Sequence, residues 1–198
     1  YPSSLEQINN ENNCLFKLSS EKNMNTYFIT AHDNKALADM RNLMCPKYID
    51  TTIVRDDFKK NIIVNGYDED IKEILIKKNI INKSDFIVLE QRGSHAPYEK
   101  QYPPEFDKYS PYENSVLYTD TVLYDLVSYI MEKSLDETFI FFVSDHGELL
   151  GENGKNGHGH LAKNVYEVPF FMYTNSKNEE ITKKFKFIKS HYDISNYI

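Results

Sequence analysis

Short apolar runs alternate along the chain with longer segments of helical spacing. Residues 26–31 (TYFITA), 48–54, 85–90 (DFIVLE), 138–144 (TFIFFVS) and 168–173 (VPFFMY) have the length and the β-branched or aromatic content of buried strands. Between them, residues 34–43 (NKALADMRNL) read as a helix. Residues 68–78 (DEDIKEILIKK) open with acids and close with lysines, as a helix dipole favours. Residues 112–133 carry Val116, Leu123, Leu126, Val127 and Ile130 at helical spacing, and residues 177–189 read as a basic surface helix. This alternation predicts an α/β fold, a mainly parallel central sheet flanked by helices. No repeat or linker divides residues 1–198, which are expected to form a single domain.

Two stretches break the alternation. Residues 91–111 hold four of the 7 prolines, and residues 147–164 hold five of the 7 glycines. Each follows a strand at its C-terminal end, the edge where open α/β sheets bind ligands. Of the 6 histidines, His95, His146, His158 and His160 lie in or at the mouth of these loops. The strand at 138–144 runs into Asp145-His146-Gly147-Glu148, and His158 follows in Gly157-His158-Gly159-His160. The other loop opens with Gly93-Ser94-His95-Ala96-Pro97. A carboxylate beside an imidazole at the end of a buried strand is a half-site for a divalent metal, and flanking glycines let the backbone approach a ligand.

Each feature also has a plainer reading. An Asp-His pair at a strand end can be a turn with a capping side chain, and histidines in a Gly-rich loop can be idle in solvent. Ser94 and His95 resemble a nucleophile and its base, yet sequence neighbours in a loop often point apart. His32 and His191 read as ordinary surface or core residues. What favours a site is convergence, since the other four histidines all follow strands expected to share one sheet edge.

Composition narrows the partners. With 23 Lys+Arg against 30 Asp+Glu, a net charge of −7 and a pI near 5.4, the chain is not a nucleic-acid binder held by phosphate neutralisation. A 40% hydrophobic content with 12 Phe and 15 Tyr suffices for a core and excludes wholesale disorder. The longest purely apolar run, Phe139–Val143, is far short of the ~20 residues a membrane helix requires. Cys14 and Cys45 allow one bridge or two buried thiols. The chain opens at Tyr1 with no signal peptide ahead of it, as expected of a processed molecule or part of a longer one.

The run Ser144-Asp145-His146-Gly147-Glu148-Leu149-Leu150-Gly151-Glu152-Asn153-Gly154, followed by His158, resembles the C-terminal signature of phosphoethanolamine transferases that modify lipid A and lipooligosaccharide. These enzymes belong to the alkaline phosphatase and sulfatase superfamily. Gly93-Ser94-His95-Ala96-Pro97, then Tyr102-Pro103 and Glu105-Phe106, is similar to the family's Gly-Ser-His-x-Pro segment. Tyr112-Glu113-Asn114-Ser115-Val116-Leu117-Tyr118-Thr119-Asp120 and Val168-Pro169-Phe170 fit it in order.

The resemblance implies an alkaline phosphatase-like (sulfatase-like) fold and a role for each matched residue. Asp145 and His146 match ligands of the principal catalytic zinc. His95 and His158 match positions that bind a second zinc or the transferred phosphate group, and so stand as metal, substrate-binding and catalytic candidates. Glu148 and Glu152 resemble loop-bracing carboxylates, and His160 has no counterpart. The family's threonine nucleophile and an earlier acidic zinc ligand fall, by spacing, upstream of Tyr1; Thr26 and Thr30 lie in the matched downstream strand. The chain is thus expected to be the C-terminal portion of a catalytic domain, incomplete at its N-terminus, without nucleophile or membrane helices and inactive alone. Dimerisation could close the sheet edge left open.

The implied function is zinc-dependent transfer of phosphoethanolamine from phosphatidylethanolamine to a lipid A or lipooligosaccharide-type acceptor through a phospho-threonine intermediate. The implied location is the periplasmic face of a bacterial inner membrane. The alternatives are another superfamily enzyme (phosphoglycerol transferase, phosphodiesterase or sulfatase) or a non-catalytic binding domain with a vestigial site. The Ser94-His95-x-Pro97 segment favours the ethanolamine group.

Overall fold

A computed structural model describes residues 14–35, 45–62, 64–81, 85–191 and 193–194. The chain divides into two compact units, residues 1–136 and 137–198. In the first, β1 (Asn25–Thr30), β2 (Thr51–Ile53) and β3 (Asp85–Glu90) form a parallel sheet in the order β2-β1-β3. β1 lies centrally and pairs Asn25 with Asp85 through Thr30 with Glu90.

Successive β1 side chains point to opposite faces. Phe28 packs with Phe16 of α1 (Leu15–Glu21) and with Val54. Ile29 belongs to the larger core on the other side, with Ile53, Phe58, Ile71, Ile74, Leu75, Tyr118, Val122 and Leu126. That core is supplied by α2 (Arg55–Asn61), α3 (Asp70–Lys78) and α4 (Pro111–Lys133). A sheet with helices on both faces is the expected α/β arrangement.

Local signals set the element ends. α3 has Asp70 and Glu73 in its first turn and Lys77 and Lys78 in its last, then stops at Asn79, whose φ of 50° is left-handed. α4 starts at a capping box: the Ser110 side chain accepts the Glu113 amide, and Glu113 accepts the Ser110 amide, with Pro111 at the first helical position. Its buried face is Asn114, Ser115, Tyr118, Val122 and Leu126, while Val116 is exposed. The apolar spacing alone had placed Val116 inward. The polar pair Asn114 and Ser115 takes that place because both are hydrogen-bonded to the preceding loop, Asn114 to Tyr109 and Ser115 to Ser94.

In the second unit, β4 (Phe139–Val143) and β7 (Phe170–Thr174) are antiparallel, with Phe139 opposite Thr174 and Val143 opposite Phe170. Phe142 and Phe171 stack at 5.0 Å, and Phe185 of α6 (Glu179–Phe185) meets Phe141 edge-on at 5.0 Å. Between the strands lie a short antiparallel pair, β5 (Leu149–Leu150) and β6 (Asn156–Gly157), and the one-turn helix α5 (Lys163–Tyr166).

The strands expected at 26–31, 85–90, 138–144 and 168–173 are present within two residues of their expected ends. The one expected at 48–54 is shorter, because Pro46–Tyr48 forms a 3-10 turn. The helix expected over 34–43 falls on residues 36–43, outside those described, apart from a turn at Asn34 and Lys35. Helices α1 and α2 were not anticipated. Cys14 and Cys45 are half-buried and not joined in a disulfide. Among the described residues no helix is long and apolar enough to cross a membrane.

Candidate functional site

In the first unit, the chain leaves β3 into Gln91-Arg92-Gly93-Ser94-His95. Gly93 has φ +61° with nothing within 4 Å of where a Cβ would stand, so it is the backbone conformation that calls for glycine here. The Ser94 hydroxyl lies 2.6 Å from that of Ser115 in α4, and Ser115 in turn donates to the Tyr112 carbonyl. Ser94 is therefore engaged with α4, and the structure shows no hydrogen bond from it to His95. His95 is exposed, its Nδ1 against the Ala96 carbonyl.

The rest of this loop is organised by polar groups that the sequence reading passed over. Asn114, fully buried, accepts the amides of Lys108 (3.1 Å) and Tyr109 (2.8 Å) and donates to the Tyr102 hydroxyl, Asp107 and the Tyr109 carbonyl. Asp68, just before α3, accepts the Arg92 amide at 3.1 Å and the Gly93 amide at 2.8 Å. Burial pushes the Asp68 carboxyl above the usual carboxylate range, opposed by those two N–H groups and by the charges of Arg92 and His32. The sequence reading had counted Asp68 among the acids opening a helix over 68–78; the helix starts at Asp70, and Asp68 is buried against the His95 loop instead.

In the second unit, β4 is followed by Ser144, whose hydroxyl donates to the His146 carbonyl and whose amide donates to the Pro169 carbonyl. The His191 ring nitrogen Nε2 lies 2.7 Å from the Ser144 carbonyl, so His191 has a specific contact beside the Asp-His pair. Gly147 donates to the Val165 carbonyl at 2.8 Å, and a Cβ there would meet the Asn164 carbonyl oxygen at 2.0 Å. Here glycine is required by close approach of two backbones. The turn Gly151 to Lys155 then closes the β5–β6 pair, and Glu152 accepts the Leu150 amide and, at 3.1 Å, the Asn164 amide group. Hydrogen bonds from its own amide, the Leu150 amide and the Asn164 side chain hold the Glu152 carboxyl below the usual range against the effect of burial, and Glu152 ties the loop together.

The result is that His158 is carried onto His146. The rings are stacked with centroids 3.9 Å apart and an interplanar angle of 27°. His158 Nδ1 lies 3.6 Å from Glu148 Oε1. His146 Nδ1 sits 2.9 Å from the Gly147 carbonyl, a contact that requires the proton on Nδ1 and leaves the Nε2 lone pair available in the neutral ring. That Nε2 is 3.7 Å from Asp145 Oδ2. Two ligands each about 2.1 Å from one tetrahedral zinc stand about 3.4 Å apart, so Asp145 and His146 suit a shared ion as a two-ligand half-site. The face-to-face rings do not aim the His158 nitrogens at the same point. Among the described residues no group of three or more His, Cys, Asp or Glu side chains could hold a metal ion. His160 Nε2 contacts the Asn156 carbonyl instead.

The profile of the sulfatase family matches residues 1–196. The chain belongs to the sulfatase family. Within it, the chain is similar to the phosphoethanolamine transferase EptA of Helicobacter pylori, 29% identical over 140 residues, which are 58% of this chain and 26% of that protein. The chain thus spans about a quarter of the length of the curated relative it matches. Its fold is similar to the C-terminal periplasmic domain of EcEptC from Escherichia coli, with a TM-score of 0.66 at 18% identity over 84% of this chain and 52% of that one. The same domain solved as a complex with Zn gives a TM-score of 0.63 at 18% identity, over 84% of this chain and 53% of that one. The sulfatase-family α/β fold is thereby established.

Proposed function

We propose that this chain is part of the catalytic domain of a zinc-dependent transferase that moves phosphoethanolamine from phosphatidylethanolamine to a lipid A or lipooligosaccharide-type acceptor, at the periplasmic face of a bacterial inner membrane. The observation that carries this reading is the pair Asp145 and His146 after the end of a strand, with the His146 Nε2 3.7 Å from a carboxylate oxygen of Asp145. The similarity to EptA and the likeness in fold to a domain that has been solved with Zn support the same reading.

Asp145 and His146 are the proposed zinc ligands. Zinc, when bound there, supplies positive charge for the non-bridging phosphate oxygens and lowers the pKa of a nucleophilic hydroxyl. The hydroxyl is assigned to a threonine that none of this chain's matched segments contains. Its oxygen forms the bond to phosphorus as the bond to the diacylglycerol oxygen breaks, and that oxygen takes up a proton. The acceptor oxygen then displaces threonine. His95 and His158 are assigned to hold the phosphate oxygens, or a second metal, and to pass the proton to the leaving alkoxide. Asp145 is exposed and the His146 side chain is one-third exposed, so neither is shut off from a lipid headgroup.

The test is zinc per chain by elemental analysis, for the full protein and for the Asp145→Ala variant, together with transfer of labelled ethanolamine from phosphatidylethanolamine. The reading expects zinc in the first and its loss in the second, with label on a glycolipid acceptor. A preference for phosphatidylglycerol as donor would replace it with a phosphoglycerol transferase. Zinc retained by the variant would overturn the ligand assignment.

A further inference from the structure

The His95 loop leaves β3 over a buried carboxylate that the roles above do not use. Asp68 is 3% exposed. Its two oxygens are committed to consecutive backbone amides, Oδ1 to Arg92 at 3.1 Å and Oδ2 to Gly93 at 2.8 Å. An ionised carboxylate is the side chain that accepts at both oxygens and donates nothing. The Arg92 guanidinium stays at a distance, its Nε 3.9 Å from Oδ1 and without a hydrogen-bond partner. The site is therefore not a closed ion pair with a loop draped across it; the amides are the main partners. Putting a carboxylate in an interior place costs free energy, and burial does push this one up.

What the carboxylate obtains is a fixed turn. Gly93 stands at φ +61°, and the His95 amide returns to the Gly93 carbonyl at 3.2 Å. The direction of the chain between Gly93 and His95 is thus set at the amide that Asp68 holds. Ser94 is then tied to Ser115. His95 itself is exposed, with its ring nitrogen against the neighbouring Ala96 carbonyl, so its place derives from the turn.

The geometry points to Asp68 as a positioning residue: by spanning the Arg92 and Gly93 amides, its carboxylate fixes the turn that presents the His95 imidazole. The value of His95 to a reaction rests on the transferase reading above; the holding of the turn does not.

Asp68→Asn, made in the full protein, keeps the size but turns a donor toward one of the two amides. Amide hydrogen exchange at Gly93 and Ser94 is expected to quicken by at least about tenfold, with Phe28 and Ile29 of β1 exchanging as in the wild type. For phosphoethanolamine transfer, kcat is expected to fall by at least about tenfold with KM within about twofold. Unchanged exchange at Gly93 overturns the proposal, as does a parallel rise at Phe28 and Ile29, which would make Asp68 a stabiliser of the core only. Faster exchange with unchanged kcat severs the turn from His95 and overturns it too. A wild-type protein that transfers no phosphoethanolamine defeats the functional reading alone, and the exchange comparison still decides whether Asp68 holds the turn. Should Asp68→Asn not fold, the wild type supplies the second measurement. There the Gly93 amide proton resonance must follow the titration of the Asp68 carboxyl, which Arg92 and His32 face; a resonance indifferent to it overturns the proposal.

Discussion

The imidazoles of His146 and His158 lie face to face, 3.9 Å between centroids, although twelve positions separate them in the chain. The contact divides their tasks. His146 has Nδ1 at the Gly147 carbonyl and Nε2 near Asp145, whereas His158 turns Nδ1 toward Glu148. His146→Ala should therefore weaken zinc binding by about a hundredfold or more, because a ligand is lost. His158→Ala, which removes only a neighbour of that ligand, should cost about tenfold. Competition against a chromogenic chelator measures both. Equal losses would mean that both rings ligate one ion, and the assignment of His146 alone to the Asp145 site would have to be given up.

Gly147 is the residue whose substitution should most directly disturb that pair. Its added methyl would stand 2.0 Å from the Asn164 carbonyl oxygen, and the hydrogen bond from the Gly147 amide to the Val165 carbonyl keeps the two backbones from separating. Gly147→Ala is expected to lower stability by about 1–3 kcal/mol, the range for overpacking a tight site, and to reduce zinc retention with it. Urea denaturation and elemental analysis read the two effects. Wild-type stability in the variant would show that the backbones are not held together as described.

Asn114 should be the more costly residue on α4 despite being polar. Its carboxamide oxygen holds the amides of Lys108 and Tyr109. Asn114→Ala leaves those two N–H groups without their acceptor, at about 1–3 kcal/mol each where they stay buried. A loss of at least about 2 kcal/mol in urea denaturation is expected. Val116→Ala on the exposed face of the same helix should change stability by less than about 0.5 kcal/mol. A reversed order would restore the apolar reading of the helix.

That contrast marks how far the chain could be read unaided. Strands such as β3 and β4 were legible because four to five consecutive apolar residues have few other uses in a chain this polar. The Asp145-His146 pair and its glycine loop were legible only through the ordered set of segments around them, because an Asp-His pair at a strand end can equally be a capped turn. Asn114 and Asp68 were not, because a polar side chain becomes interior only through partners distant in sequence: Asp68 reaches Arg92 and Gly93 across the whole of α3 and β3. Helix α2 was missed since Phe58 is its one buried residue, which leaves no periodicity to detect. The stacking of His158 on His146 depends on the β5–β6 pairing, whose strands are too short to announce themselves.

Asp68 should also give the protein a pH dependence opposite to that of a salt-bridged carboxylate. Burial raises its folded-state pKa, against the pull of the Gly93 and Arg92 amides and the charges of Arg92 and His32. The folded protein thus keeps the Asp68 proton to higher pH than the unfolded chain does, whose value is near about 3.9. The stability it contributes is complete below that unfolded value and is lost as pH rises through the folded one. Asp68→Asn has no such titration. The stability of the wild type minus that of Asp68→Asn, from urea denaturation at a series of pH values, should fall as pH is raised above about 4 and level off once pH passes the folded-state value. A difference that grows with pH instead would mean that the two amides outweigh burial. Asp68 would then be an anion that stabilises the first unit, and not one kept there at a cost in stability to hold the His95 turn.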